Sequence, residues 1–363
     1  MRGAFFIVAS LSVIAFQTSR DRAVRPWPLL FLLIFILWAV SGSVLSGSLS
    51  VISADLPQNI LLLILGVAIF SLSREGVVSD RVGYWLLFYF ISTFAVTVWL
   101  GGFRFGWPPG FNFERATNLD GAEVSYSLGV SNFYALASLT ALHLATSSAS
   151  RAKSACLMMA SVAFMLVTFL GGARGESAVA VLIFFCLLVS RKPYLAVAIL
   201  SSLVAWALWL GDVVALMDGF VLVQRLSEVT GGYYGARDQL LLESFALLKS
   251  APGCLVFGCG AGFFQYFYGY PSSLYPHNIF VEWAIVFGAV SAVVVVAIVV
   301  RGVAIYARRV GRIDLFILLF AYSFLVNQKS GSLLDSWLTV SGVTVFMTAG
   351  LFPRYSVVWA RSI

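Results

Sequence analysis

Charged residues are scarce in this chain: Asp, Glu, Lys and Arg make up 11% of its 363 residues, against roughly 25% in an average soluble domain. Apolar residues make up 60%, and the mean hydropathy is +0.95. A soluble globule of this size needs more polar surface to cover its core, and disordered chains contain far fewer apolar residues. The composition therefore excludes both classes.

Cysteine and histidine are also few, with four Cys and two His in the whole chain. This is too little for a disulfide scaffold or a metal cluster, and we expect no metal and no cofactor. Cys156 and Cys186 lie inside apolar runs and are most simply small core residues. Cys254 and Cys259 flank a Gly-rich segment, and the sequence leaves open whether a disulfide joins them.

The apolar residues are grouped in solid blocks rather than in alternating positions, which predicts membrane helices and excludes an outer-membrane barrel. We predict an all-α polytopic membrane protein with about 11 transmembrane helices (10–12). The predicted spans are 3–18, 26–45, 57–72, 82–101, 125–146, 154–171, 175–190, 193–211, 278–300, 314–327 and 335–352.

The loops between these spans alternate in charge, and this predicts their side of the membrane. One set is short and holds most of the 23 Lys and Arg, including Arg151, Arg308 and Arg309. By the positive-inside rule this set and the C-terminus face the cytoplasm. The net charge of +7 is thus a topology signal rather than a nucleic-acid signal, and we expect no nucleic-acid partner.

Two outer segments are long enough to fold within what we predict to be a single integral membrane domain, 1–363. The smaller periplasmic loop, 102–124, is rich in Gly, Pro and aromatic residues. The large periplasmic loop, 212–277, contains a predicted amphipathic helix, 238–250, with Leu241, Phe245 and Leu248 at helical spacing. Pro252 and Gly253 are expected to stop this helix.

A Gly-rich segment, 258–262, follows in the same loop and predicts a tight turn where the backbone approaches a ligand or another helix. No βαβ unit surrounds it, so it is not a dinucleotide-binding fingerprint, and no Gly-Lys-Ser/Thr follows as in a P-loop. A nucleotide-driven enzyme or pump is therefore disfavoured.

The candidate chemistry lies in charged residues on the outer side, against the positive-inside bias. Arg174 stands between two apolar runs, where a charge is costly unless it faces a cavity or a partner such as Glu176. Arg225 and Arg237 lie in the large loop and would suit a pyrophosphate, because arginine binds phosphate in a bidentate fork. The alternative is that both are surface arginines on a solvated loop.

His277 opens the ninth predicted span and is the candidate general base, because histidine accepts a proton near neutral pH. Glu282 lies five residues further and is expected to face the protein interior, since exposure to lipid would be costly. Lys329 lies in the last outer turn, 327–332, and is a further donor to an anionic group. The alternatives are a helix-start residue for His277 and a hydrated hairpin for 327–332.

With these residues, the chain resembles the bacterial O-antigen polymerase and O-antigen ligase superfamily. Gly172-Ala173-Arg174-Gly175 resembles the family's small-Arg-Gly motif, and His277-Asn278 with Gly288 resembles its His-Asn…Gly motif. Arg237 with Ala246, Pro252 and Gly258-Cys259-Gly260 resembles its Arg…Ala…Pro…Gly-x-Gly segment, and 115–132 is a weaker match. Many relatives carry Glu two residues before the glycine that corresponds to Gly288, where this chain has Val286.

The resemblance implies a GT-C-like, metal-independent inverting glycosyltransferase at the periplasmic face of the bacterial inner membrane. Its donor would be an undecaprenyl-pyrophosphate-linked oligosaccharide held in membrane lipid, and a chain-length regulator protein is a further candidate partner. The predicted catalytic residues are His277, Arg174 and Arg237. The predicted substrate-binding residues are Arg115, Arg225, Asn278, Glu282 and Lys329.

Three functions remain open at this stage. A polymerase joins lipid-linked repeats to each other, and the final 329–332 turn together with Val286 favours it. An O-antigen ligase, which transfers the glycan to lipid A-core, is the alternative within the family. A transporter or flippase is the alternative of another class, and it should show inverted repeats and broken helices, neither of which the sequence indicates.

Overall fold

The computed structural model describes residues 27–53, 57, 59–60, 62–64, 66–67, 76–105, 109–111, 116–117, 123–124, 128–194, 197, 237–271, 274–310, 314–330, 333 and 336–352. These residues are mostly helical, as expected for an all-α membrane protein. Five of the described helices are long and apolar enough to cross a membrane: Trp27–Ser46, Val82–Trp99, Leu128–Ser147, Arg151–Leu170 and Ala289–Arg308.

The elements follow one another in a simple order. The helices before the long gap at 198–236 are α1 Trp27–Ser46, α2 Leu49–Ile52, α3 Gly76–Trp99, α4 Leu128–Ser147, α5 Arg151–Leu170 and α6 Arg174–Arg191. Those after it are α7 Arg237–Ser250, α8 Pro252–Phe257, α9 Phe263–Tyr268, α10 Ile279–Phe287, α11 Ala289–Val310, α12 Leu315–Ser330 and α13 Trp337–Leu351. The short strands are β1 Phe103–Arg104, β2 Gly110–Phe111, β3 Ala116–Thr117 and β4 Glu123–Val124.

The predicted spans whose residues are described fall on helices, and the largest differences concern the ninth span. Helix α11 runs past 300 to Val310, so Arg308, which was predicted to lie in a cytoplasmic loop, is part of the helix. The predicted span 278–300 is not one helix, because α10 ends at Phe287 and α11 begins at Ala289. Span 3–18 lies outside the described residues, and 57–72 and 193–211 are described only in part. The count of about 11 spans and the GT-C-like arrangement therefore stay predictions.

The chain divides into two compact units. The central unit comprises Asp80–Tyr234, and the terminal unit comprises Met1–Ser79 with Gly235–Ile363. In the central unit, α4 and α5 form an antiparallel pair in which Ser138 and Ser161 each donate a side-chain hydrogen bond to the other's backbone oxygen, at 2.8 and 2.7 Å. Small hydroxyl residues let membrane helices approach closely and satisfy their own polar groups, so these serines explain the pairing.

The predicted smaller loop, 102–124, contains two short antiparallel hairpins, β1–β2 and β3–β4. Phe103 and Phe111 face each other across the first hairpin, with ring centroids 5.0 Å apart. Phe103 also contacts Phe94 of α3, and Phe111 stacks on Tyr134 of α4 at 5.8 Å. The aromatic residues of this loop therefore fasten the hairpin to the membrane helices of the central unit.

In the terminal unit, α7 to α10 pack around a core that includes Leu240, Leu247, Phe264 and Ile285. The predicted helix 238–250 is confirmed as α7, but its predicted buried face is wrong. Leu248 is buried as expected, whereas Phe245 is 53% exposed and Leu240 takes the buried position. Pro252 ends α7 as predicted and also begins the next helix, where a proline in the first turn costs no hydrogen bond.

The Gly-rich segment packs backbone to backbone against α10. Gly258 and Gly288 both have positive φ. Each lies against a backbone carbonyl of the segment that contains the other glycine. A Cβ on Gly258 would stand 2.2 Å from the Val286 oxygen, and one on Gly288 would stand 2.3 Å from the Val256 oxygen. This reciprocal contact leaves no room for side chains, so it explains the break between α10 and α11.

The same segment also touches α1. The Cys259 amide donates to the Ile285 oxygen at 2.8 Å, while a Cβ on Gly260 would stand 2.0 Å from the Ser43 nitrogen. Ser43 and Ser48 both donate to the Ala261 oxygen, at 2.8 and 2.9 Å. Of the two partners predicted for this segment, a ligand or another helix, the structure places two helices against it.

Replacing Gly258 with alanine should destabilise the protein, because the new Cβ meets the Val286 oxygen and the residue has φ +78°. The strained φ alone costs about 1–3 kcal/mol. Gly253→Ala is the matched control, since nothing described lies within 4 Å of its Cβ position. Thermal unfolding in detergent should show a lower Tm for Gly258→Ala than for Gly253→Ala, and equal Tm values would contradict the close packing.

A disulfide joins Cys254, which is buried in α8, to Cys259 in the Gly-rich segment, with the two Cα atoms 4.9 Å apart. The sequence left this pairing open. The bond closes the turn that presses against α10, so it secures the same contact as Gly258.

Thiol counting tests this bond directly. Cys156 and Cys186 are free, whereas Cys254 and Cys259 are bonded to each other. Denatured, unreduced protein should therefore react with a maleimide at two of its four cysteines, and at all of them after reduction. Full labelling before reduction would show that the loop is not oxidised.

The two ends of the terminal unit carry different sets of residues. At one end the Trp27 ring contacts Phe352 at 4.7 Å, and the Tyr306 hydroxyl donates to the Asp314 carboxylate. The described hydrogen bonds of Ala261 and of Asn278 lie at the other end, with Ser43 and Gln328. The Gly-rich segment and Asn278 are therefore at the opposite end of the terminal unit from Trp27 and Asp314. The side of the membrane that each end faces stays a prediction.

Candidate active site

His277 stands immediately before α10 in an unusual backbone conformation. Its φ is +54°, and it is the one non-glycine residue with positive φ in the part of the chain that the structure describes. Its ring contacts Tyr275 with centroids 4.1 Å apart, and its Nδ1 is buried without a hydrogen-bond partner. Strained, unpaired polar residues of this kind are concentrated at functional sites.

Burial, and then the nearby charge of Arg237, lower the pKa of His277 from 6.5 to about 4. The histidine is therefore neutral at pH 7, and its ring nitrogens are available to accept a proton. The same effect shows that Arg237, the first residue of α7, lies near His277. Two of the three predicted catalytic residues thus lie in the terminal unit, close enough to interact electrostatically.

From the sequence alone, the pKa of His277 was expected to be its ordinary value, and this expectation is wrong. A lower pKa makes the ring a weaker base but keeps it deprotonated over a wider pH range. If His277 is the base, kcat/KM should stay level from about pH 8 down to about pH 5.5, because the histidine gains its proton only near pH 4. Initial rates across that range test this prediction. A fall in kcat/KM toward low pH (the acid limb) that is centred near pH 6.5 would contradict it.

Asn278 caps α10 and ties it to α12. Its Oδ1 accepts hydrogen bonds from the amides of Phe280 and Val281, at 3.0 and 3.2 Å. Its Nδ2 donates to the Gln328 oxygen at 3.1 Å. Both ends of the side-chain amide are therefore occupied by the protein, which gives Asn278 the role of fixing the backbone on which His277 sits. Its predicted contact with substrate stays a prediction.

Glu282 is buried, with 8% of its surface exposed, as predicted for a carboxylate in this span. Its Oε2 accepts a hydrogen bond from the Leu333 amide at 2.8 Å. Glu282 thus holds the segment after α12 against α10. Residues 327–330, predicted as part of an outer turn, are the last turn of α12 instead, because Asn327 is held inside by Thr339 at 2.6 Å.

Lys329 is partly buried in that last turn, next to Gln328, which accepts from Asn278. The end of α12 and the start of α10 are therefore joined directly. Lys329 therefore lies at the same end of the terminal unit as Asn278.

Arg174 is the first residue of α6 and lies in the central unit. The turn before it is tight, because the Ser131 hydroxyl donates to the Thr168 oxygen at 3.0 Å and accepts from the Ala173 amide at 3.2 Å. Glu176 is 1% exposed, and its Oε2 has no hydrogen-bond partner. Arg115 and Arg225 lie outside the described residues, so a common cavity for the predicted arginines stays a prediction.

One polar cluster on α7, the helix that Arg237 begins, was not predicted from the sequence. Tyr268 and Tyr270 donate hydrogen bonds to Glu243 of α7, the former to its backbone oxygen at 2.9 Å and the latter to its carboxylate at 3.0 Å. The sequence does show an aromatic-rich stretch, 263–270, which contains both Tyr268 and Tyr270. Its partner on α7 could not be found without the fold.

Comparison with known proteins finds no matching family model, no matching curated protein and no matching solved structure.

Proposed function

We propose that this chain is an O-antigen or related polysaccharide polymerase of the bacterial inner membrane. It would be a metal-independent inverting glycosyltransferase that joins undecaprenyl-pyrophosphate-linked repeat units at the periplasmic face. The observation that carries this proposal is His277, whose buried Nδ1 has no hydrogen-bond partner and whose pKa is lowered by burial and by the charge of Arg237. The oxidised pair Cys254–Cys259 in the same loop supports the periplasmic side.

In this mechanism His277 takes the proton of the acceptor sugar hydroxyl. The freed oxygen attacks the anomeric carbon of the donor sugar from the face opposite the leaving group, and the bond from that carbon to the undecaprenyl pyrophosphate breaks. The configuration at the anomeric carbon inverts. Arg237 stabilises the negative charge that develops on the departing pyrophosphate, as fixed cationic donors do in other transfers.

The buried position of His277 serves this chemistry in two ways. A ring that is neutral at pH 7 is ready to accept a proton in every turnover. The cap by Asn278, with its bond to Gln328, holds the backbone at His277 in place, so little reorganisation precedes the transfer. Lys329, at the same end of the terminal unit, is a further cation for the lipid-linked anion under this proposal.

The O-antigen ligase remains the alternative within the same chemistry, because it differs in the acceptor and not in the donor. Val286 stands where many relatives have a glutamate, and it packs with its carbonyl against the Gly-rich segment. The Gly260 amide donates to that carbonyl at 3.2 Å. The Val286 side chain itself is buried and apolar, so this position supplies no carboxylate, which favours the polymerase over the ligase-type motif.

The transporter alternative gains one feature from the structure, since the helix break at Gly288 is of a kind found in transporters. In transporters the carbonyls of such a break bind ions or line a cavity. Here the Ile285 and Val286 oxygens accept hydrogen bonds from Cys259 and Gly260. The break is therefore filled by protein, and the transferase remains the preferred proposal.

Mass analysis of the surface and lipid-linked glycans in a deletion strain separates the two family functions. Loss of a polymerase should leave single repeats on lipid A-core, because ligation continues. Long polymers stranded on undecaprenyl pyrophosphate would identify a ligase and contradict the preferred proposal.

A further inference from the structure

Two stacked tyrosines lie on the outer loop beside α7, separate from the contacts of His277. The rings of Tyr268 and Tyr270 have centroids 5.6 Å apart and planes inclined by 22°. Glu243 and Gln239 of α7 lie beside them, with the Gln239 Nε2 donating to the Glu243 carboxylate at 2.8 Å. We call these four residues the tyrosine shelf.

The tyrosine shelf is held rigidly. The Tyr270 hydroxyl donates to both oxygens of Glu243, at 3.2 and 3.0 Å, and Tyr268 donates to the backbone oxygen of the same residue. Both rings also contact Phe264 of the buried core. Burial and then the Glu243 charge raise the pKa of Tyr268, so its hydroxyl stays protonated. The cluster is therefore organised before any ligand arrives.

The shelf also adjoins open space. Gly269 joins the two tyrosines, and no atom of the described chain lies within 4 Å of the place where its Cβ would be. On either side Phe267 is 49% exposed and Gln239 is exposed. Tyr268 and Tyr270 are themselves partly exposed, so a ligand can reach their rings and the polar groups of α7 together.

This mixture of groups fits a sugar ring better than a lipid surface. A sugar presents C–H bonds on one face, which are attracted to the negative face of an aromatic ring, and hydroxyls around its edge, which donate to carboxylates. Glu243 accepts from Tyr270 and Gln239 and, because a carboxylate has about four lone-pair sites, retains capacity for a hydroxyl. A carboxylate set among the rings would oppose burial in lipid.

The position of the shelf relates it to the candidate site. Arg237 begins the helix that carries Glu243, and six residues of helix correspond to about 9 Å along the axis. A glycan whose reacting hydroxyl lies near His277 and Arg237 would thus bring a neighbouring sugar ring within reach of the shelf.

We propose that the tyrosine shelf binds a sugar ring of the acceptor glycan, next to the sugar that carries the reacting hydroxyl. The assignment to the acceptor rests on the proposed glycosyltransferase function. The sugar-binding property itself rests on the stacked tyrosines, the Glu243 carboxylate and the Gln239 amide.

Direct binding tests the proposal without any transfer reaction. The probe is the lipid-free repeat-unit oligosaccharide, released by mild acid from the lipid-linked donor of the same cells, and the readout is saturation-transfer NMR with purified protein. Glu243→Gln should raise Kd by about ten- to hundredfold, and Gln239→Ala by about three- to tenfold, since each removes a polar contact of that strength. Gln239 is exposed, so its variant is expected to fold normally.

Two exposed residues supply matched controls: Leu242→Ala on the same helix and Tyr194→Ala elsewhere in the chain, both of which should leave Kd unchanged. A wild-type protein that does not bind the oligosaccharide, or folded shelf variants with unchanged Kd, would overturn the proposal. If the Glu243 and Gln239 variants lower activity in lipid vesicles but leave Kd unchanged, the tyrosine shelf acts at the membrane surface rather than on a sugar. That result would also contradict the proposal.

The two proposals fail in different ways. Shelf-dependent binding without any polymer formation would support the shelf as a sugar site and contradict the proposed transfer. Polymer formation together with a Kd that the shelf variants do not change would contradict the shelf as a sugar site and would leave the proposed function intact.

Discussion

Replacing His277 with asparagine is expected to slow polymerisation by about 10²- to 10⁴-fold, the usual loss when a general base is removed. Asparagine is the chosen substitution because His277 has φ +54°, a conformation that asparagine tolerates better than alanine. The loss would then report the missing base rather than a strained backbone. The rate of polymer formation by purified protein is the measurement.

His277→Gly provides a second variant in which the backbone strain is relieved, and it should be as inactive as His277→Asn. His143 is the matched control, since it is buried in α4 in the central unit. His143→Gln, compared at equal amounts of folded protein, should retain activity. Polymerisation by His277→Asn at the wild-type rate would mean that the histidine is only a helix-start residue.

Replacing Arg237 with glutamine should lower kcat/KM by about 10²- to 10³-fold, as loss of one donor to a developing anion does. Arg237→Lys should be impaired less, because lysine keeps the charge but loses the bidentate fork. The two variants also differ in a second readout. The charge of Arg237 lowers the pKa of His277, so Arg237→Gln should raise that pKa and move the acid limb to higher pH, whereas Arg237→Lys should not.

Lys249 supplies the control on the same helix, since it is exposed in the last turn of α7. Lys249→Ala should leave both the rate and the acid limb unchanged. An Arg237→Gln variant with a normal rate and an unmoved acid limb would remove the arginine from the site. If Arg237→Gln lowers the rate but leaves the acid limb of kcat/KM unmoved, Arg237 acts on the pyrophosphate without setting the pKa of His277.

The membrane class and most of the helices could be predicted from the sequence because long apolar blocks have few alternative structures. The single helix predicted over 278–300 was wrong at Gly288. A glycine within an apolar run is common in membrane helices, and the contact that breaks this one comes from Gly258, 30 residues earlier in the chain. Such pairs depend on the fold and leave no local pattern.

The buried face of α7 was mispredicted for a related reason. In a soluble protein the spacing of Leu241 and Phe245 would indicate the side of the helix that faces the core, but in a membrane protein an apolar side chain can face either the protein core or lipid. Leu240 and Leu247 face the protein core, and Phe245 is exposed. Periodicity reports which residues avoid water, and it does not distinguish protein from lipid.

The candidate site was predicted in part. His277, Arg237 and Glu282 could be selected by charge and position, and the structure brings the first two near each other and buries the third. The capping role of Asn278 needed the partner Gln328 from another helix. The lowered pKa of His277 needed its burial and the approach of Arg237, neither of which is a property of the local sequence.

Transfer by the purified protein in lipid vesicles tests the central claim most directly. The donor and acceptor are the undecaprenyl-pyrophosphate-linked repeat unit alone, with EDTA present and with His277→Asn as the inactive control. We expect a ladder of lipid-linked oligomers, with one undecaprenyl pyrophosphate released for each bond formed, and no ladder from the variant. Movement of the unchanged repeat across the membrane with no new glycosidic bond would contradict the account and identify a transporter.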